Sequence, residues 1–128
     1  MRYLLDTHII IWAMVGSNRL SDRARSILQN PDNAFYVSSV STWEVAIKHA
    51  SKPEEIPVTA EQMVRFCRDS GIVELPIRFG HAMRVSTLPA HHSDPFDRML
   101  VAQAIEGELF LVSHDCKLPP YGEFVVLV

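Results

Sequence analysis

Short apolar runs that close on a polar or acidic residue recur along this 128-residue chain, and segments of helical character separate them. The first run is YLLD, Tyr3 to Asp6; three apolar residues ahead of an acid suit a buried parallel strand better than a half-exposed one. AFYVSS, GIVELP, LFLVS at Leu109–Ser113 and FVVLV at Phe124–Val128 read as four further strands. Strands that alternate with helices predict an α/β fold, a parallel sheet with helices on both faces. Ligands of such sheets sit at the carboxyl ends of the strands.

The helices carry their own punctuation. One starts near Thr7 and runs through HIIIWAMV to a stop at Gly16. It is apolar nearly all round, so it needs cover on more than one side, which a second subunit is able to supply. Ser21 reads as the N-cap of a helix to about Asn30, with Pro31 at its exit. Ser41 and Glu44 match the S-x-x-E capping box, and Trp43, Ala46, Ile47 and Ala50 form one apolar stripe behind it. SKPEEIP, Ser51 to Pro57, breaks the pattern, and helices follow from about Thr59 to Ser70 and from Phe79 to Thr87. Asp94 before Pro95 predicts an N-cap with proline at the first helical position, opening a long helix to about Glu106.

Composition excludes several classes. With 48% hydrophobic and 21% charged residues the chain resembles an ordinary globular protein, and its length suits one domain spanning residues 1–128. A net charge of −3 is unlike that of a protein coating nucleic acid non-specifically, so any such contact is local. Cys67 and Cys116 show no disulfide or CxxC spacing, which points to a reducing cytoplasm. The apolar run Ile9–Val15 is too short for a membrane span, and no targeting segment is expected.

Four acids fall at one edge of the predicted sheet. Asp6 closes the first strand, Glu44 opens the helix after the second, Asp97 opens the long helix, and Asp115 follows LFLVS. Each has an ordinary alternative role: Asp6 as an N-cap, Glu44 in its capping box or paired with Lys48, Asp115 as a turn acid. Asp97 stands apart, because Leu100, Val101 and Ala104 share its helical face and place it against the interior. Asp94 has a sufficient job as a cap and ranks second. Gathered carboxylates repel unless they share protons or hold a cation, and oxygen-only ligands favour Mg2+ or Mn2+. Such sites suit phosphoester chemistry.

The segments LLDTHIIIWA, SSVSTWEVAIK, HHSDPFDRMLVAQA and LVSHDCKLPPYG together resemble the PIN-domain nucleases, and within them the VapC toxins of toxin–antitoxin pairs. The resemblance runs nearly end to end. It implies a three-layer α/β/α sandwich and an acidic quartet of Asp6, Glu44, Asp97 and Asp115, with Ser113 at an expected accessory position. It further implies cleavage of RNA, tRNA among the candidates, a homodimer built on the helix after Asp6, and a VapB-like antitoxin.

In that reading Asp6 and Asp97 are direct metal ligands, Asp115 completes the set, and Glu44 orients the attacking water or acts as base. Lys48, His91, His92, Arg98 and Lys117 are the candidate RNA contacts. Four rival readings remain. Zinc at His91, His92, Asp94, His114 and Cys116 lacks a recognised ligand spacing. A phosphate-accepting receiver needs an acid adjacent to Asp6 and a phospho-accepting Asp at the end of a central strand, which neither AFYVSS nor GIVELP supplies, and a haloacid-dehalogenase-like phosphatase needs a second Asp two positions after Asp6, where His8 stands. A silent module that only receives an antitoxin tail would keep the acids without the cleavage.

Overall fold

The computed structural model describes residues 1–128. Its sheet is built on β1 (Arg2–Leu5), flanked by β2 (Ala34–Ser38) and β4 (Phe110–Ser113), with β3 (Val73–Leu75) and β5 (Val125–Leu127) at the edges. The order is β3-β2-β1-β4-β5 and every neighbouring pair is parallel. Leu4 pairs with Tyr36 on one side and Leu111 on the other, so β1 is covered along both edges.

The two leucines of β1 divide the core. Successive strand side chains point to opposite faces. Leu5 joins Ile9, Ile10, Val45, Met63 and Val112 beneath α1 (Thr7–Val15), α2 (Asp22–Gln29) and α4 (Ala60–Asp69). Leu4 joins Leu100, Val101, Ala104 and Leu111 beneath α6 (Pro95–Gly107), against which α5 (Phe79–Val85) packs. Burying both faces explains why the strands read as unbroken apolar runs. The result is the three-layer α/β/α arrangement.

Most of the punctuation acts as read. Gly16 ends α1 at φ 64°, a left-handed conformation that glycine adopts without a Cβ penalty. Ser21 Oγ accepts from Ala24 N to cap α2, and Asp94 caps α6 ahead of Pro95. No helix is long and apolar enough to cross a membrane.

Within the chain, Ile9, Ile10 and Ile11 of α1 are buried by the sheet and α4, while Val15 at its end is 49% exposed. Two expectations are corrected. The capping box at Ser41 does not form. Ser38 ends β2 and caps α3 (Ser39–Ser51) at once, its Oγ accepting from Val40 N, which leaves Ser41 and Glu44 inside the helix. A capping box forms instead at α4, between Thr59 and Gln62. Finally, the stripe of α3 faces outward, with Trp43 59% and Ile47 45% exposed. The buried face of α3 is mixed, Val40 and Val45 with Ser41 and Glu44, because this helix lies over both the sheet and the acidic cleft. Its buried polar residues reverse the pattern that an amphipathic helix usually shows.

Candidate active site

Parallel pairing brings the carboxyl ends of β1, β2 and β4 to one edge, and the cleft there, about 350 Å³, is lined by Asp6, Glu44, Asp94, Asp97 and Asp115. All four acids of the predicted quartet therefore meet, from four separate stretches of chain. The arrangement follows from topology: Asp6 and Asp115 lie just beyond strand ends, Glu44 lies in the first half of the helix that follows β2, and Asp97 lies in the first turn of α6, which packs over the same sheet.

Asp6 is the residue between β1 and α1. Its side chain makes no cap bond to α1; instead Oδ2 accepts from Ser113 Oγ at 2.5 Å. Ser113 Oγ in turn accepts from Asp115 N at 3.0 Å, so this one hydroxyl links the two acids. Burial pushes the Asp6 carboxyl above its ordinary range, against the lowering effects of the Ser113 hydrogen bond and the His8 charge.

Glu44 reaches the cleft from the second turn of α3, and both of its oxygens are engaged. Oε1 lies 2.7 Å from Thr7 Oγ1, and Oε2 lies 2.6 Å from Lys48 Nζ. Thr7 is also bonded to Ser41 at 2.8 Å. Having a single proton, the Thr7 hydroxyl gives it to the carboxylate and accepts from Ser41. Both innocent roles foreseen for Glu44 resolve differently: the cap is absent, while the Lys48 pair is real and sits inside the cleft.

Asp97 occupies the first turn of α6 with its side chain 14% exposed, and His92 Nε2, 3.1 Å away, is its one close polar partner. Burial, followed by the charges of Asp6, Asp94, Glu44 and Asp115, pushes its carboxyl up to about 8. Asp115 behaves oppositely. Partial burial raises it, but the Lys117 backbone N–H, the His92 ring and the Lys117 charge together hold it below the usual carboxylate range.

The donors are carboxylate oxygens that repel one another, with Lys48 the one side-chain cation paired to them. This chemistry fits a hard divalent cation such as Mg2+ or Mn2+.

A family model for the PIN domain matches residues 3–121. The chain belongs to the PIN-domain family. This sets aside the receiver-like and phosphatase readings. No curated protein matches the sequence. Among solved structures, the chain is similar to VapBC2 from Rickettsia felis bound to a DNA fragment from their promoter, at 18% identity and TM-score 0.71, over 100% of this chain and 98% of that one. It is similar to VapBC-1 from nontypeable Haemophilus influenzae at 21% identity and TM-score 0.62, over 91% and 89% of the two chains. A toxin–antitoxin complex from Klebsiella pneumoniae gives 20% identity and TM-score 0.59, over 98% and 99%. At these identities the likeness is one of fold.

The candidate RNA contacts of this PIN domain separate into groups. Lys48, His92 and Lys117 line the cleft. His91 does not; it is exposed and meets the Tyr121 ring edge-on at 4.9 Å. Arg98 is spent on structure: its guanidinium donates to the carbonyls of Val85, Leu88, Pro89 and His92 and to Tyr121 Oη, pinning the loop between α5 and α6. Cys116 is exposed but does not line the cleft, which further weakens the zinc reading.

Four cleft residues carry little sequence signal: His8, Trp12, Arg19 and Glu55. His8 and Trp12 lie one helical turn apart and share a face of α1, but at two and six residues beyond Asp6 they fall outside the i+3 and i+4 positions that a helical projection from that acid would select. Arg19 and Glu55 come from loops, where no periodicity operates. His8 pairs with Glu55 at 3.6 Å, whereas Arg19 packs its guanidinium 5.0 Å from the Trp12 ring and has no acidic partner.

Proposed function

We propose that this PIN domain is a metal-dependent endoribonuclease and acts as the toxin of a toxin–antitoxin pair. The observation that carries the reading is the convergence of Asp6, Glu44, Asp97 and Asp115 on one open cleft with too few protein cations to neutralise them. Asp6 and Asp97 are the direct ligands of Mg2+ or Mn2+, and Asp115 completes the set. When bound, the cation supplies counter-charge to the scissile phosphate and lowers the pKa of water at the site.

The remaining work falls to side chains. Glu44, held at both oxygens by Thr7 and Lys48, accepts a proton from water and orients it toward phosphorus. Lys48 keeps the inner wall of the cleft from being uniformly negative. Ser113 holds Asp6 in register with Asp115. Arg19 and Lys117, which make no ion pair, offer cations to phosphates flanking the scissile one.

The cognate inhibitor in this reading is a VapB-like antitoxin, by analogy with the toxin–antitoxin assemblies named above, and the working form is a homodimer in the cytoplasm. The domain spans the chain described here. The test is direct: purified protein should cleave RNA with Mg2+ or Mn2+, lose cleavage in EDTA, and lose it when Asp97 is replaced by Asn. Induction should arrest growth, and an antitoxin encoded beside it should relieve the arrest. Wild-type protein that cleaves no RNA with either metal, yet binds an antitoxin, would establish the silent-module reading instead.

A further inference from the structure

His92 was grouped with the RNA contacts and with the zinc candidates, and its surroundings fit neither role. Its side chain is 8% exposed, too buried to meet a phosphate in the open cleft. The ring is gripped on both edges. Asp94 N donates to Nδ1 at 3.0 Å, while Nε2 lies 2.7 Å from Asp115 Oδ2 and 3.1 Å from Asp97 Oδ2.

These contacts settle where the ring proton sits. A backbone N–H has only a proton to offer, so Nδ1 must present its lone pair and the ring proton resides on Nε2. His92, Asp97 and Asp115 place one ligand atom each within 4.8 Å of one another, which has the outline of a metal triad. Ligation by Nε2, however, would drive the proton to Nδ1 and set two donors against each other across the Asp94 bond. The backbone is clamped as well: His92 N donates to Tyr121 Oη at 3.0 Å, and Arg98 donates to the His92 carbonyl. The ring therefore cannot readily turn away.

We propose that His92 is a positioning residue, whose Nε2–H bridges the Oδ2 atoms of Asp97 and Asp115 and sets the two carboxylates to receive the cation together, without itself ligating metal or touching RNA. The bridge takes one oxygen of each acid. Asp97 Oδ1 remains unengaged, and Asp115 Oδ1 accepts from Lys117 N at 2.9 Å. The network of Arg98 and Tyr121 acts on the acids through His92. This inference rests on the cation-binding reading of the cleft but not on RNA cleavage.

The test combines side-chain 15N–1H spectra of wild-type protein, without and with saturating Mg2+, with calorimetric Mn2+ binding to wild type, His92→Gln and His92→Ala. We expect the Nε2–H tautomer in both spectra. Gln can place an amide N–H near the position of Nε2, so His92→Gln should keep the Mn2+ Kd within about threefold, while His92→Ala should weaken it ~10- to 100-fold. The KM for RNA should change less than about twofold in either variant. An Nδ1–H tautomer, or loss of the Nε2–H signal on Mg2+ binding, overturns the proposal in favour of direct ligation. Unchanged Mn2+ affinity with a raised RNA KM in His92→Ala overturns it in favour of an RNA contact. If the tautomer and Mn2+ results hold in a protein that cleaves no RNA, the proposal stands and the nuclease reading alone fails.

Discussion

Ser113 and Asp6, 107 residues apart, share a 2.5 Å hydrogen bond between the ends of two adjacent parallel strands. The same hydroxyl accepts from the backbone of Asp115. Replacing Ser113 by Ala leaves a buried carboxylate without its side-chain donor and frees the turn that carries Asp115. The expected cost is about 1–3 kcal/mol of stability and a ~10- to 100-fold loss in metal affinity. Thermal melting and Mn2+ calorimetry on Ser113→Ala measure both, and an unchanged Mn2+ affinity would show that Ser113 does not organise the acids.

Asp94 and Asp97 stand three residues apart in one helical turn and have different jobs. Asp94 Oδ1 accepts from Phe96 N at 2.8 Å as the cap of α6, whereas Asp97 bonds only to the His92 ring. Asn caps a helix about as well as Asp, so Asp94→Asn should keep its melting temperature within a few degrees and retain most activity. Asp97→Asn should fold and be inactive. Equal loss of activity in both variants would move Asp94 into the ligand set.

The crowding of the acids has a sign that melting curves can read. The Asp97 carboxyl is pushed up to about 8 in the folded protein from an ordinary 3.8, and Asp6 is displaced in the same direction. Between those values the folded form holds protons that the unfolded chain releases, so stability falls as pH rises. The contribution is complete below about pH 4 and gone above about pH 8. Asp115 is shifted downward and acts in a separate, more acidic window, its contribution being lost as pH falls through its folded value. In EDTA the melting temperature should therefore drop on the order of 5 °C from pH 5 to pH 8. Several millimolar Mg2+ should restore it at the upper end. Asp6→Asn with Asp97→Asn should flatten the pH profile and abolish the Mg2+ response. A wild type indifferent to Mg2+, with a double variant that is only less stable, would mean that the acids are structural.

What could be read from the sequence, and what could not, divides along a physical line. Strand runs such as YLLD and FVVLV and the caps Ser21, Gly16 and Asp94 depend on local chemistry, and the structure places them where local chemistry predicts. Asp6, Glu44 and Asp115 were legible because each follows a strand end or opens the helix after one, and Asp97 because it shares the interior face of α6; parallel topology converts those positions into proximity. The stripe of α3 was not, since Trp43 and Ile47 are apolar yet exposed while Ser41 and Glu44 are polar yet buried against Thr7. Periodicity reports only that one face differs from the other, and burial of polar groups that satisfy each other inverts it. The difference is measurable. Ile10→Ala, in the core under α1, should cost about 2–5 kcal/mol, whereas Trp43→Ser should cost about 1 kcal/mol or less in the isolated chain, losing mainly its edge contact with Phe96 at 5.3 Å. Comparable losses in urea unfolding would show that the α3 face is covered in solution.

Arg19 stands at the cleft in the place that the sequence suggests for Arg98. Arg98, in the acid-bearing motif, donates through both terminal nitrogens to four backbone carbonyls and Tyr121 Oη, which leaves only its Nε–H unengaged. Arg19, in a loop with no motif, rests on the Trp12 ring at the lip of the cleft and is free to meet one. Arg98→Ala should therefore lower the melting temperature by several degrees and reduce activity through the loosened loop, with little change in the salt dependence of RNA binding. Arg19→Ala should leave the melting temperature unchanged and raise KM several-fold at constant kcat. It should also reduce the slope of log K against log salt by roughly one phosphate contact, about 0.7 for a single strand. Lys117→Ala should do the same, and the double variant should lose both contacts additively, because the two residues share no partner. If Arg19→Ala leaves the salt slope intact while Arg98→Ala flattens it, RNA follows the α6 side of the cleft and not the lip formed by Arg19 and Lys117.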